Sequence, residues 1–414
     1  MIKHRNIGMS NRNSCVILWD LPSSPLDPNI TVLSFLPPHL EHRLLTNSAI
    51  KEVVTMAKVM DQVKSDARKL YIEFVADIGL FKLPNGKTFR KALRGKGKTS
   101  LWWYHPITFR NSENEPTYAN ILSILAVSNK ANKCGFKYLH LVGPPADIIN
   151  VLKSCFKISV IQPIRYFSWL DLVRGLLGRF RFLYMLVKNK LALSSYYKPA
   201  HQNMDIAFQG FWDWSVYADS NKKKPLNDNY FGDLPHELTR CGKKIGYWCW
   251  YDPKNKPGIR KRSHQEVLKP LRNQNSVLLL PALLKLKDII TIGLDFRTLF
   301  TVFSAIRQKP FKQIFWWQKL NFYPLFKRPL IRGFLSSGIP ECRLFEIAAI
   351  RAQAITQPTL TVRFQEHNPP SRAIYAAVQS THTNSWAIQH ASYNSGKTYL
   401  AIHPNKEFAP QSDG

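Results

Sequence analysis

Short apolar runs recur along this chain, and helix-length segments separate them. Ser14–Trp19 (SCVILW), Phe136–Val142 (FKYLHLV), Ile158–Gln162, Ile245–Tyr251 (IGYWCWY), Thr359–Gln365 and Ser385–Gln389 read as strands. Strands that alternate with helices belong to βαβ units, because a parallel pair needs a long crossover to bring the chain back to the same edge. The sequence therefore predicts an α/β fold, with Rossmann-like parallel sheets and flanking helices.

The remaining segments fill in that plan. Ile50–Arg68 and Thr117–Cys134 have helical periodicity, and Gly135 closes the second. Further strands are expected at Lys69–Val75 and Ser100–His105 (SLWWYH), with a polar, basic loop at Leu83–Gly97 between them. In the second half, Asp205–Val216 is strand-like; Asn229–Cys241, most of Val277–Gln308, Leu344–Thr356 and Ser371–Ser380 read as helices. The organisation expected is one α/β unit over 14–165 and a basic helical connector over 166–200. A second α/β unit follows over 203–414, carrying a helical, membrane-facing insertion at 277–340.

With 45% hydrophobic residues the chain can fill a core, and global disorder is excluded. Its formal charge of +31 needs an anionic partner: nucleic acid, a membrane surface or a phosphorylated substrate. No nucleic-acid motif is present, so nucleic acid is not expected. Lys309–Arg332 (KPFKQIFWWQKLNFYPLFKRPLIR) interleaves cations with aromatic rings, as at a membrane interface, and an anionic membrane is the partner it suggests. Single-stranded nucleic acid would also suit it. The greasiest stretches, Phe167–Leu193 and Val277–Ile306, are broken by charges and do not read as membrane spans. Within the first, Arg174, Arg181 and Lys188 form one stripe seven residues apart, while Arg179 and Lys190 lie on another side. That pattern fits a solvated inter-domain helix or a membrane-surface helix.

Six dispersed cysteines form no CxxC pair, and Met1–Ser10 has no apolar signal core. Reduced thiols in the cytoplasm and no metal site are expected. There is no Walker A, GxGxxG, GxSxG, HExxH or DxD sequence.

Candidate chemistry concentrates near the carboxyl end. Glu366 follows one expected strand and His390 the next, with a single helix between them. Ligands of open α/β sheets bind beyond the carboxyl ends of strands. There a carboxylate can serve as a base toward a hydroxyl, and a histidine can meet phosphate or relay a proton. Both could equally be strand-end caps. Arg372, in the first turn after the cap Asn368–Ser371, faces either an anionic ligand or solvent. Asp233 opens a helix behind Phe231-Gly232 and reads as a cap or a substrate contact. Asp213 sits between Trp212 and Trp214, a pairing that suits sugar binding or simple aromatic packing.

Taken in order, Ser100–His105, Asp228–Pro235 (DNYFGDLP) with Gly242, and Glu366–Arg372 followed by Ala387-Ile388-Gln389-His390 resemble the surface-carbohydrate (O-antigen) biosynthesis proteins of GT-B glycosyltransferase type, across roughly residues 14–414. The resemblance implies two Rossmann-like domains facing a cleft, one for acceptor and one for donor, and adds His105 to the substrate-binding candidates. It implies transfer of a sugar from a nucleotide-sugar to a lipid-linked saccharide acceptor, with no tightly bound cofactor, at the inner face of the cell membrane. In such proteins a short segment ending in Asp and Gly precedes the donor domain. Ser412-Asp413-Gly414 stands in that place, so the donor domain is expected to lie beyond this sequence and this chain alone to be inactive. Ala391 departs from the glycine expected after the histidine. The competing reading is a non-catalytic basic protein that binds membrane or nucleic acid.

Overall fold

The computed structural model describes residues 13–23, 26, 29–47, 50, 52–94, 99–109, 116–162, 170–197, 203–213, 215–217, 226–251, 263–364, 369–381, 383–388 and 406. Two parallel five-stranded sheets dominate it.

The first sheet is built from β1 (Ser14–Leu18), β2 (Thr31–Ser34), β3 (Glu52–Thr55), β4 (Tyr138–Val142) and β5 (Lys157–Gln162), in spatial order β3-β2-β1-β4-β5. Ile17 on β1 pairs with Leu33 on one side and Leu141 on the other. Alternate residues of a strand face opposite ways. Val16, Leu18 and Val32 therefore share a small core with Leu36 and with Leu44 of helix α1 (Pro38–Asn47). Cys15, Ile17, Leu33 and Leu139 face the main core with helices α2 (Met56–Leu80), α3 (Thr117–Lys133) and α4 (Ala146–Leu152).

The second sheet repeats the winding. Its strands are β6 (Ile206–Phe211), β7 (Ile245–Trp250), β8 (Val277–Leu279), β9 (Leu360–Phe364) and β10 (Asn384–Ile388), in order β8-β7-β6-β9-β10. In each sheet the chain moves outward on one side of the first strand, then crosses to the other side. The α/β expectation of parallel sheets with flanking helices holds.

Some local expectations do not hold. Lys69–Val75 is not a strand but the second half of α2, a single 25-residue helix. The run Leu70, Tyr71, Phe74, Val75, Ile78 continues the buried stripe begun at Val59, Val63 and Ala67, so helical periodicity overrides β-branched and aromatic content. Ser100–His105 is a 3₁₀ turn over Leu101–Tyr104, entered where the Ser100 hydroxyl accepts the Trp102 N–H at 3.3 Å. Strands β2, β3 and β8, only three or four residues long, were too short to register as apolar runs.

The connector and the insertion join the two units. Helix α5 (Leu170–Tyr196) packs against α7 (Leu286–Gly293) and α9 (Tyr323–Leu335); α6 (Leu234–Arg240) lies between β6 and β7; α8 (Arg297–Arg307) precedes α9. Helices α10 (Gly338–Thr356) and α11 (Pro369–Gln379) pack on each other beside the second sheet. One apolar core runs through both units.

Within Lys309–Arg332, Phe311, Phe315, Phe322 and Phe326 are fully buried. Phe74 of α2 lies 5.7 Å from the rings of Phe315 and Phe322 and 5.5 Å from Phe326; Phe81 lies 5.0 Å from Phe311. Lys309, Lys312, Lys319 and Lys327 point to solvent. These four phenylalanines thus bind the insertion to the first unit and are withdrawn from any membrane-facing surface. Leu286–Arg307 has the length and composition of a membrane span, but it forms two helices, α7 and α8, with a break at Leu294–Phe296.

Candidate functional site

In an open parallel sheet the ligand crevice forms where the strand order reverses, at the carboxyl ends. In the second sheet that place lies between β6 and β9. Asp213 follows β6 by two residues, and its backbone adopts φ 65°, a left-handed conformation that costs a non-glycine residue energy and clusters at functional sites. Its N–H is held by the Val216 carbonyl at 2.9 Å. Glu366 follows β9 by two residues and His390 follows β10 by two; both lie outside the described residues. Their strands are adjacent, parallel and paired from Leu360↔Asn384 to Phe364↔Ile388, as the spacing predicts.

Two other expected site residues have structural employment. His105 is fully buried, 4.8 Å from the Phe334 ring. Its Nδ1 accepts the Ile107 N–H (3.2 Å), so Nε2 carries the proton and donates to the Leu330 carbonyl (3.1 Å). Burial pulls its pKa down to about 4, and the ring is neutral at pH 7. Gly333 makes room for it, because a Cβ there would stand 2.1 Å from Nε2. His105 thus ties the first unit to α9 and offers nothing to a substrate.

Arg372 is 2% exposed. It donates to the Trp103 carbonyl (3.2 Å), the Thr108 hydroxyl (3.1 Å) and the Thr108 carbonyl (2.9 Å). It faces neither solvent nor an open site; it brackets α11 of the second unit to residues 103–108 of the first. Asp233 is the exposed N-cap residue of α6, but its side chain makes no capping bond. The carboxylate that orders this entry is Asp228, whose Oδ1 accepts the N–H groups of Tyr230 (2.8 Å) and Phe231 (3.0 Å). Burial raises its pKa against those two bonds.

A cavity of about 250 Å³ opens where α5, α7, α8 and the start of α10 meet Arg94 and Leu101. Five cations line it: Arg94, Arg179, Lys287, Arg297 and Arg343, against the carboxylates of Asp288 and Asp295. Asp288 binds Arg351, and Asp295 binds Arg297 at 2.8 Å. Burial is the largest influence on Asp288 and opposes its ionisation, but the Arg351 bond, the Lys285 N–H and the charges of both residues together outweigh it and hold its pKa below the usual range. The bond from Arg297 does the same for Asp295. Arg343 is paired with Glu346.

Arg179 is 2% exposed and bonds only to carbonyls: Gly293 (2.6 Å), Asp295 (2.9 Å), Phe334 (3.0 Å) and Ile292 (3.3 Å). It thereby caps the carboxyl end of α7, with its guanidinium 4.4 Å from the centre of the Phe296 ring. Burial lowers its pKa to about 10, so it stays charged at pH 7. No sequence motif marks this cavity, because its residues come from five separate stretches. One trace was legible, since Arg179 and Lys190 stood on a different side of α5 from the exposed basic stripe. Lys190 likewise turns inward, to the Ala282 carbonyl at 2.5 Å.

No family model, curated protein or solved structure matches this chain.

Proposed function

We propose that this chain is a GT-B-type glycosyltransferase of surface-polysaccharide assembly, transferring a sugar from a nucleotide-sugar to a lipid-linked acceptor at the inner face of the membrane. The observation that carries the reading is the repetition of one winding order in two parallel sheets, with acidic residues following both strands that flank the reversal in the second. In this reading Glu366 orients or deprotonates the acceptor hydroxyl, Asp213 holds neighbouring hydroxyls, and His390 meets the charge developing on the donor phosphate. His105 and Arg372 have no part in binding; they hold the two units together behind the site.

The basic stripe of α5 supports the membrane part of the reading. Arg174, Arg181 and Lys188 are exposed beside Leu170, Leu177, Phe180, Tyr184 and Leu191, all at least 41% accessible. Cations flanking an apolar stripe suit an anionic leaflet.

The test is transfer by the full-length protein from a panel of radiolabelled nucleotide-sugars to a polyprenyl-diphosphate-linked sugar acceptor. Transfer that Glu366→Gln reduces 10²–10⁴-fold, roughly the range for loss of a general base, with the melting temperature unchanged, supports the assignment. Transfer undiminished in Glu366→Gln and His390→Ala refutes the site.

A further inference from the structure

The cavity between α5, α7, α8 and α10 has a charge balance that the fold does not explain. Among the described residues, its two carboxylates are committed to Arg351 and Arg297, and Arg343 has Glu346. Arg94 and Lys287 have no carboxylate partner there, and Arg179 is held by carbonyls alone. The lining therefore carries three more positive charges than negative ones, and Asp295, bonded to Arg297, is the carboxylate that also acts on Arg179. The hydroxyls of Thr291 and Thr298 line the same space. Capping of α7 accounts for Arg179, but stability gives no reason to set the exposed Arg94 and Lys287 beside it, since like charges repel.

The rest of the lining is largely apolar: Leu101, Ile292, Phe334, Ile339 and Ile347. The apolar surface continues outside. On α7 the exposed residues Leu286, Ile290 and Leu294, 41%, 52% and 49% accessible, form a stripe one residue round the helix from the cavity-lining Lys287 and Thr291. One residue is about 100° on a helix, so the two stripes are neighbours. Phe300 of α8, 75% accessible, extends the patch.

We infer that this cavity binds a phosphate ester carrying an apolar chain, with the phosphate between Arg94 and Lys287 and the chain leaving along Leu286, Ile290 and Leu294. Guanidinium and ammonium groups with adjacent hydroxyls match the several acceptor oxygens of a phosphate. A volume of about 250 Å³ holds the head group and the first carbons but not a long chain, and the exterior stripe takes the rest. The inference concerns binding only and stands apart from whether sugar is transferred.

Calorimetric titration of the whole chain tests it with three probes: octyl phosphate below its critical micelle concentration, octyl glucoside and sodium phosphate. Octyl phosphate is expected to bind at least tenfold more tightly than either of the others. Lys287→Glu and Arg94→Glu, both at exposed positions on separate elements, should each weaken it about tenfold, and Ile290→Ser a few-fold. Lys243→Glu, on an exposed loop far along the chain, should leave it unchanged. Equal affinity for octyl glucoside would show that phosphate is not read, and equal affinity for sodium phosphate that the chain is not read. Undiminished binding in Lys287→Glu and Arg94→Glu would place the ligand elsewhere. Each of these three results overturns the inference.

Discussion

Replacing Arg179 by methionine tests how the insertion is held to the connector helix. The side chain is 2% exposed and makes four hydrogen bonds to carbonyls, three of them at the carboxyl end of α7. Each hydrogen bond from a charged donor contributes roughly 1.5–3 kcal/mol net. Simple addition overstates the loss, because the substitution also removes a desolvated charge. Methionine fills similar space but leaves the carbonyls of Gly293, Asp295 and Phe334 buried without a donor. A loss of about 3–5 kcal/mol results, in the range for breaking a buried polar bracket. Arg179→Lys keeps the charge but not the planar fork, so about half of that loss is expected. Urea unfolding followed by circular dichroism measures both. A change below about 1 kcal/mol for Arg179→Met would refute the bracket and leave Arg179 as a ligand contact only.

Other outcomes follow from the same contacts. His105 is neutral in the fold, with a pKa near 4 against an ordinary value of 6.5. The unfolded chain therefore takes up this proton first as pH falls. Stability should be level above pH 6.5 and decline toward pH 4 by on the order of 3 kcal/mol from this residue, and His105→Gln should flatten that decline. Equal slopes for the variant and the native chain would contradict it. Gly333→Ala drives a methyl into the His105 ring and should cost about 1–3 kcal/mol, read as a lower urea midpoint. Co-sedimentation with phosphatidylglycerol-containing vesicles should fall with added salt and with Arg174, Arg181 and Lys188 changed to Gln, each worth about 1 kcal/mol. Equal binding to neutral vesicles would argue against the surface.

The parallel architecture was legible because buried strands of five or six residues stand out against helices. Ser14–Leu18, Tyr138–Val142 and Ile245–Trp250 are such runs. The adjacency of β9 and β10 followed from one short crossover, since a right-handed βαβ unit has few other ways to close. The candidate site was less legible. Glu366 and His390 could be placed by counting along the chain, but nothing local distinguishes Arg372 in an open cleft from Arg372 between two units. A buried arginine and a ligand arginine have the same neighbours in sequence; they differ in what lies across the gap, here Trp103 and Thr108.

The aromatic–cationic segment shows where that boundary falls. Sequence alone determined that residues 309–332 interleave cations with aromatic rings. It also set two basic stripes on α5 by spacing alone. Only the tertiary structure decided what each face meets. The rings of Phe311, Phe315, Phe322 and Phe326 meet Phe74 of α2 and Phe81 just beyond its end rather than a bilayer. Arg179 and Lys190 meet backbone carbonyls, while Arg174, Arg181 and Lys188 meet solvent. Periodicity fixes direction because it is a property of the backbone; burial here depends on partners 92 or more residues away.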